Sequence, residues 1–222
     1  VKLSIVIVNY NVRYFLEQTI LSVYKSSVNF DYEIFVVDNN SSDDSLRMLE
    51  QKFPEVKVIA NNENAGFSKA NNIGIKKATG DHILFLNPDT IVGEDCFEKC
   101  LAYFKTDQTC GAIGLKMIDG SGNYLKESKR SFPTPLTSFY KLVGLAALFP
   151  TSQVFARYYA GHLPNDQVHE VDVLAGACMM IRSKALERVG GFDEDYFMYG
   201  EDVDLSYRLQ QAGFKNVYFP AT

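Results

Sequence analysis

Several features common in chains of this size are missing. No run of about 18 apolar residues occurs, so no segment reads as a membrane-spanning helix. The four cysteines, at 96, 100, 110 and 178, form no C-x-x-C pair, and no histidine cluster has zinc-ligand spacing. Reduced, inert thiols are the expected state, which points to a cytosolic compartment. Cys96 and Cys100 fall on one helix face, a spacing too weak by itself to argue for a metal. Excess positive charge is also missing: the net charge of −5 argues against a nucleic-acid partner. The chain opens on a strand pattern with no leader-like segment, so no signal peptide is expected. Asn9-Tyr10-Asn11-Val12-Arg13 follows that strand without a glycine. This excludes the G-x-G-x-x-G fingerprint of dinucleotide-binding dehydrogenases and disfavours the Gly-rich loop of a nucleotidyltransferase. No internal repeat or low-complexity stretch is seen.

The 222 residues, 46% of them hydrophobic, suffice for one good-sized core. Residues 82–86 are mostly apolar, as expected of a strand buried on both faces of a parallel sheet, and Asn87-Pro88-Asp89 ends them. Further strands are expected at 3–8, 32–37 and 56–60, alternating with helices at 14–26, 45–53 and 67–78. This alternation over residues 1–105 predicts βαβ units in an α/β fold. Beyond Thr106 the pattern changes. A strand is expected at 111–117, a hairpin-type turn at 119–123 and an irregular stretch over 124–167. A strand interrupted at Gly176-Ala177 is expected over 171–181, then a short helix capped by Ser183 and a last helix over 201–212. Within the irregular stretch, residues 136–149 form an apolar, helix-like patch preceded by Lys126, Lys129 and Arg130. A core-packing helix is the favoured reading, with a lipid-facing surface as the alternative.

Polar residues gather where strands end. Asn9, Tyr10 and Asn11 follow the first strand, Asp38 and Asn39 the second, and Asn87 and Asp89 the central one. In a doubly wound sheet these ends are neighbours on the ligand-binding edge. An aromatic face, an acceptor for a base N–H and a carboxylate suited to a divalent cation describe a nucleoside diphosphate site. Asp89 alone also fits a cap on a helix beginning near Glu94. Residues 190–205 crowd acids among aromatics. Acids favour a helix start for dipole reasons alone, but carboxylates beside Phe192, Phe197 and Tyr199 also suit a general base.

Taken together, five stretches resemble family 2 glycosyltransferases, in particular bacterial rhamnosyltransferases of surface polysaccharide synthesis. They are Ser4-Ile5-Val6-Ile7-Val8-Asn9-Tyr10-Asn11, Val36-Val37-Asp38-Asn39-Asn40-Ser41-Ser42-Asp43, Asn64-Ala65-Gly66-Phe67-Ser68-Lys69-Ala70-Asn71-Asn72-Ile73-Gly74, Leu86-Asn87-Pro88-Asp89, and Gly190-Gly191-Phe192-Asp193 with Tyr199-Gly200-Glu201-Asp202-Val203-Asp204-Leu205. The resemblance covers about 1–118 and 168–222, and residues 119–167 carry no motif. It implies a GT-A fold: a Rossmann-like, mostly parallel sheet in one domain, with a nucleotide-sugar half at 1–118 and an acceptor-side half at 119–222. It implies inverting transfer from a dTDP- or UDP-sugar, with rhamnose favoured, to a glycan or lipid-linked acceptor. Tyr10 and Asp38 would hold the base, with Asn9, Asn11 and Asn39 nearby, and Gly66, Asn71, Asn72 and Gly74 on the nucleotide side. Asp89 would be the remaining carboxylate of an Asp-x-Asp metal motif, binding Mg²⁺ or Mn²⁺ beside Asn87. Asp202 would be the general base and Glu201 would orient it or the acceptor.

Two positions depart from the family pattern. Asn87 stands where many relatives have aspartate, and Asn71 where several have arginine. The missing carboxylate leaves a non-catalytic nucleotide-sugar-binding module as the alternative. Relatives also continue past the last residues with a histidine that completes the metal site, so the chain is expected to be truncated. The expected location is cytoplasmic, peripheral on the inner face of the membrane.

Overall fold

The computed structural model of the chain describes residues 2–26 and 30–220. The first half alternates strand and helix: β1 (Lys2–Asn9), α1 (Arg13–Ser26), β2 (Asp31–Asp38), α2 (Ser45–Lys52), β3 (Lys57–Ala60), α3 (Gly66–Lys77), β4 (His82–Leu86), α4 (Cys96–Thr106) and β5 (Cys110–Leu115). The second half holds α5 (Pro135–Leu142), α6 (Leu145–Leu148), β6 (His169–Glu170), β7 (Cys178–Arg182), α7 (Ser183–Val189), α8 (Glu201–Gln211) and β8 (Lys215–Phe219). These strands form one sheet in the order β3-β2-β1-β4-β7-β5-β8-β6. The first four are mutually parallel, β7 runs antiparallel to both β4 and β5, and β8 is parallel to β5.

The β-branched runs explain the layers. Side chains alternate across a strand, so Leu3, Ile5 and Ile7 of β1 meet α1, α2 and α4 on one face. Val6 and Val8 meet α3 on the other, where α7 and α8 also pack. Gly74 lies where α3 crosses β1, and a methyl there would overlap Val6. A buried acid in the middle of β2 is well partnered. Glu33 accepts from Ser4 Oγ at 2.7 Å, Lys57 Nζ at 2.7 Å and the Thr79 N–H at 2.8 Å. Burial alone would raise its carboxyl, but these donors hold it below the usual range.

Four expectations are corrected. The strand expected over 171–181 exists only as β7, because residues 171–177 leave the ladder apart from one bridge between Arg130 and Val173. Ser183 does not cap α7: Arg182 holds that position, and the Ser183 hydroxyl donates to the Gly80 carbonyl. The core-packing helix over 136–149 is replaced by α5 and α6, whose Leu142 and Leu148 are 85% and 69% exposed. Lys129 is not a surface cation but is buried, donating to the carbonyls of Leu163 and Pro164. Two strands, β6 and β8, have no counterpart in the expected elements; they pair with each other, and β8 also with β5. The turn at 119–123 is a bridged hairpin, with Asp119 N–H bound to the Asn123 carbonyl at 2.9 Å. All four cysteines are unpaired and buried.

His82 yields a pH prediction. It packs on Phe104, and neither ring nitrogen has a partner among the described residues. Burial, aided by the Arg182 charge, pushes its imidazole down to about 4. Between pH 6.5 and 4 the unfolded chain therefore binds more protons than the folded one. Stability is intact above that window and falls through it, by at most about 3 kcal/mol. Urea unfolding midpoints across this range should record that loss, and His82→Leu should remove this component.

Candidate active site

The strand ends expected to be neighbours are neighbours. Asn9 lies opposite Asp38 in the β1–β2 register, and Ile7 lies opposite Leu86 of β4. Asn9 Nδ2 donates to Asp38 Oδ1 at 2.7 Å and to Ser41 Oγ at 3.0 Å. The Ser41 hydroxyl and N–H close on the two oxygens of Asp38 at 2.6 and 2.9 Å. Asp38 is thus a buried carboxylate that accepts three hydrogen bonds beneath the rim. Asn11 adopts a left-handed backbone, and its side chain accepts the Ser42 N–H at 2.7 Å, ordering the loop after β2. Asn39 is also buried: it donates to the Gly66 carbonyl at 3.1 Å and accepts from Asn61 at 2.9 Å, tying β2 to the start of α3. Tyr10 stays half-exposed above these groups.

At β4 the chain turns through Asn87-Pro88-Asp89. The Asn87 N–H donates to the Ala177 carbonyl at 2.9 Å, because antiparallel β7 starts where β4 ends. One residue earlier, the Gly176 N–H donates to Asp202 Oδ2 at 3.2 Å. The two carboxylates singled out at opposite ends of the sequence, Asp89 and Asp202, therefore flank one short backbone link. Asp89 is exposed, and its carboxylate has no hydrogen bond among the described residues. It does not cap α4, which starts at Cys96 with Asp95 before it.

The acidic stretch is held by packing from below. Asn72 reaches from α3 to three partners: the Phe192 carbonyl at 2.8 Å, Glu194 Oε1 at 2.9 Å and the Phe192 N–H at 2.9 Å. The Phe192 ring is buried against Phe85 and Phe67. The Phe197 carbonyl accepts the Phe67 N–H at 2.8 Å, and Phe197 fills the space a side chain at Gly66 would need. Asn71 instead bonds back to the Phe67 carbonyl of its own helix at 3.0 Å. Tyr199 and Gly200 then both take positive φ, at 72° and 98°. That reversal starts α8, and a bulky residue held there carries about 1–2 kcal/mol of strain. Glu201 turns inward and is buried, which raises its carboxyl above the usual range, with the Asp202 charge adding. Asp202 pairs with Arg130 at 2.5 Å. Asp204 is occupied by Arg208, which also bonds the Val189 and Gly191 carbonyls.

A profile described as glycosyl transferase family 2 matches residues 4–190. The chain belongs to glycosyl transferase family 2. A second profile, described as the N-terminal domain of galactosyltransferase, matches residues 164–222. The chain is 30% identical over 199 residues to the N-acetylglucosaminyl-diphospho-decaprenol L-rhamnosyltransferase of Mycobacterium tuberculosis, covering 85% of this chain and 64% of that protein. It is 30% identical over 200 residues to the rhamnosyltransferase WbbL of Escherichia coli, covering 86% and 70%. This family 2 chain thus spans a little under two thirds of the length of the mycobacterial relative. Its fold matches S. aureus TarS with a TM-score of 0.69 at 16% identity, over 100% of this chain and 59% of that one. It also matches a Pyrobaculum calidifontis mannosyltransferase, solved with GDP-Man and Mn²⁺, with a TM-score of 0.66 at 18% identity, over 99% and 55%. The architecture is the GT-A fold.

Among the described residues of this family 2 chain, no group of three His, Cys, Asp or Glu side chains is placed to hold a metal. A small divalent cation needs no such cage, since it is commonly held by one or two carboxylates with substrate phosphates. An exposed, unbonded carboxylate at Asp89 fits that donor set. Two contributors carry no motif: Arg130 lies in the motif-free stretch, and Gly176 lies in the gap before β7. The test here concerns the clamp. Asn72→Ala leaves the buried Phe192 amide and carbonyl unpaired, which should cost about 3 kcal/mol in urea unfolding. Asn71→Ala, which loses only an intrahelical bond, should cost under about 1 kcal/mol.

Proposed function

We propose that this domain transfers a sugar from a nucleoside diphosphate donor to an acceptor hydroxyl, with inversion at the anomeric carbon. The observation that supports this reading is the Asn87–Ala177 backbone bond, which ties the turn carrying Asp89 to the segment whose Gly176 N–H donates to Asp202. Inversion takes one in-line attack, so a base on one side and a stabilised leaving group on the other suffice. In this reading Asp202 takes the acceptor's proton and Glu201, buried beside it, holds the helix start and orients the acceptor. Tyr10 stacks on the base, while Asp38, Asn9, Asn11 and Asn39 build the floor beneath it. Gly66, Asn71 and Asn72 shape the wall that faces the donor, with Asn87 beside Asp89. Asp89 holds Mg²⁺ or Mn²⁺, which neutralises charge on the departing diphosphate when bound. Asn87 in place of a second carboxylate favours a second reading, a non-catalytic nucleotide-sugar-binding module; turnover of any donor excludes it.

In this reading the donor is a dTDP- or UDP-sugar, with rhamnose favoured because two relatives are named as rhamnosyltransferases. The mycobacterial relative's name includes a lipid-linked acceptor, and the surface of this chain suits one. Residues 128–165 contain no Asp or Glu in a chain of net charge −5. Their exposed apolar side chains include Leu136, Phe139, Leu142 and Leu148, with Lys141 and Arg157 also exposed. Apolar area beside cations suits an anionic bilayer surface. In this reading the protein works on the cytoplasmic face of the membrane, as a peripheral enzyme.

Calorimetric titration with dTDP, UDP and GDP, each with and without Mn²⁺, tests the donor site. One diphosphate should bind in a Mn²⁺-dependent manner, and Asp89→Ala should weaken it at least about tenfold. Binding that ignores both the metal and the substitution counts against the assignment. Asp202→Asn should lower turnover by roughly 10²–10⁴-fold while leaving nucleotide binding intact. For the surface, co-sedimentation with phosphatidylglycerol vesicles should fall at least about tenfold in a Leu142→Glu, Leu148→Glu double variant. Unchanged sedimentation rejects the membrane contact.

A further inference from the structure

The stretch without any motif supplies a cation to the acidic start of α8. Arg130 Nη2 lies 2.5 Å from Asp202 Oδ2 and 3.0 Å from the Leu174 carbonyl. The Arg130 backbone is pinned as well: its N–H and carbonyl exchange hydrogen bonds with Val173 at 3.2 and 2.9 Å. The Gly176 N–H donates to the same Oδ2. Both donors thus converge on one oxygen. Oδ1 has no hydrogen-bond partner among the described residues, and the Asp202 side chain keeps 15% of its surface exposed. The neighbouring Glu201 has no hydrogen bond to Arg130, and its buried Oε2 has no partner among the described residues.

We infer that Arg130 is a positioning residue for Asp202, fixing Oδ2 so that Oδ1 is the oxygen that receives the acceptor's proton. This rests on the reading of Asp202 as the base. The acceptor O–H bond breaks and its proton goes to Oδ1. The acceptor oxygen's electron pair forms the new bond to the anomeric carbon. The bond from that carbon to the diphosphate oxygen breaks, and its pair leaves with the nucleoside diphosphate. Through this step Oδ2 remains an acceptor for both of its donors, so the carboxyl group does not rotate as its charge changes. Both contacts come from the single Nη2, so a lysine ammonium can reproduce the two bonds only in part, lacking the reach and plane of the guanidinium. Small losses of alignment are costly in catalysis.

The test uses the intact protein and a panel of dTDP-, UDP- and GDP-sugars, reading nucleoside diphosphate release. Arg130→Gln should lower kcat about 10–100-fold, with donor KM and nucleoside diphosphate affinity within about twofold of wild type. Arg130→Lys should recover part of that loss, remaining about 3–10-fold below wild type, again with KM unchanged. Wild-type kcat in either variant overturns the inference. So does a loss that falls on KM and nucleotide affinity, because that places Arg130 in the donor site. If Arg130→Gln fails to fold, the kcat and KM of Arg130→Lys decide by the same criteria. Normal turnover by Asp202→Asn overturns the base reading itself, whatever the Arg130 variants do. Absence of turnover by wild type on the whole panel overturns the transferase reading and this inference with it.

Discussion

The antiparallel pairing of β7 with β4 is the constraint on which the site depends. In its register Leu86 faces Cys178 and His82 faces Arg182. The strand that ends in Asn87-Pro88-Asp89 therefore lies beside the start of a strand from the other half of the chain. A parallel partner would have put Gly176 and Ala177 at the far edge of the sheet, away from the rim. With β7 reversed, the backbone leading into it passes over that rim. The Asn87 N–H, the Ala177 carbonyl and the Gly176 N–H then tie the turn that carries Asp89 to the segment that holds Asp202.

Polar side chains do much of the locking around this pairing, and each does so with its hydrogen-bonding groups largely matched. Asn72 spans α3 and the segment before α8, and Glu33 spans β1, β2, β3 and the turn into β4. A buried polar group is costly unless partnered, so such a network penalises misplacement of any element it joins. The rim contrasts with this. Asp89 and Tyr10 are left open, Tyr199 sits in a strained conformation, and Asp202 has one oxygen held and one not. Unspent bonding capacity on a rigid support is what a ligand site requires.

Much of the fold was legible because the first half repeats a simple rule. Strands buried on both faces read as continuous β-branched runs, and polar turns rich in Asn and Asp punctuate them, so β1 to β4 and α1 to α4 stand close to where the pattern put them. The second half broke the rule. Residues 171–177 look as apolar as a strand but are pulled off the ladder, bridging Arg130 instead of extending β7. The apolar run at 136–149 carries a helical pattern but no information about which side has a partner, and here it has little. β8 is a short run after α8, and its weight comes from its neighbours in the sheet.

The amino-acid sequence by itself determined the alternation of strand and helix over the first half, the polar strand ends on one rim, and the acidic start of the last helix. These follow from local chemistry: side-chain period, proline and glycine punctuation, and the preference of acids for helix N-termini. Only the tertiary structure decided that β7 is reversed, that Lys129 is buried, that Asp38 is bonded by Asn9 and Ser41, and that Arg130 meets Asp202. The last of these joins residues 72 positions apart. Such contacts depend on the free energy of the whole packed assembly, and no local pattern records which distant group will supply the missing partner.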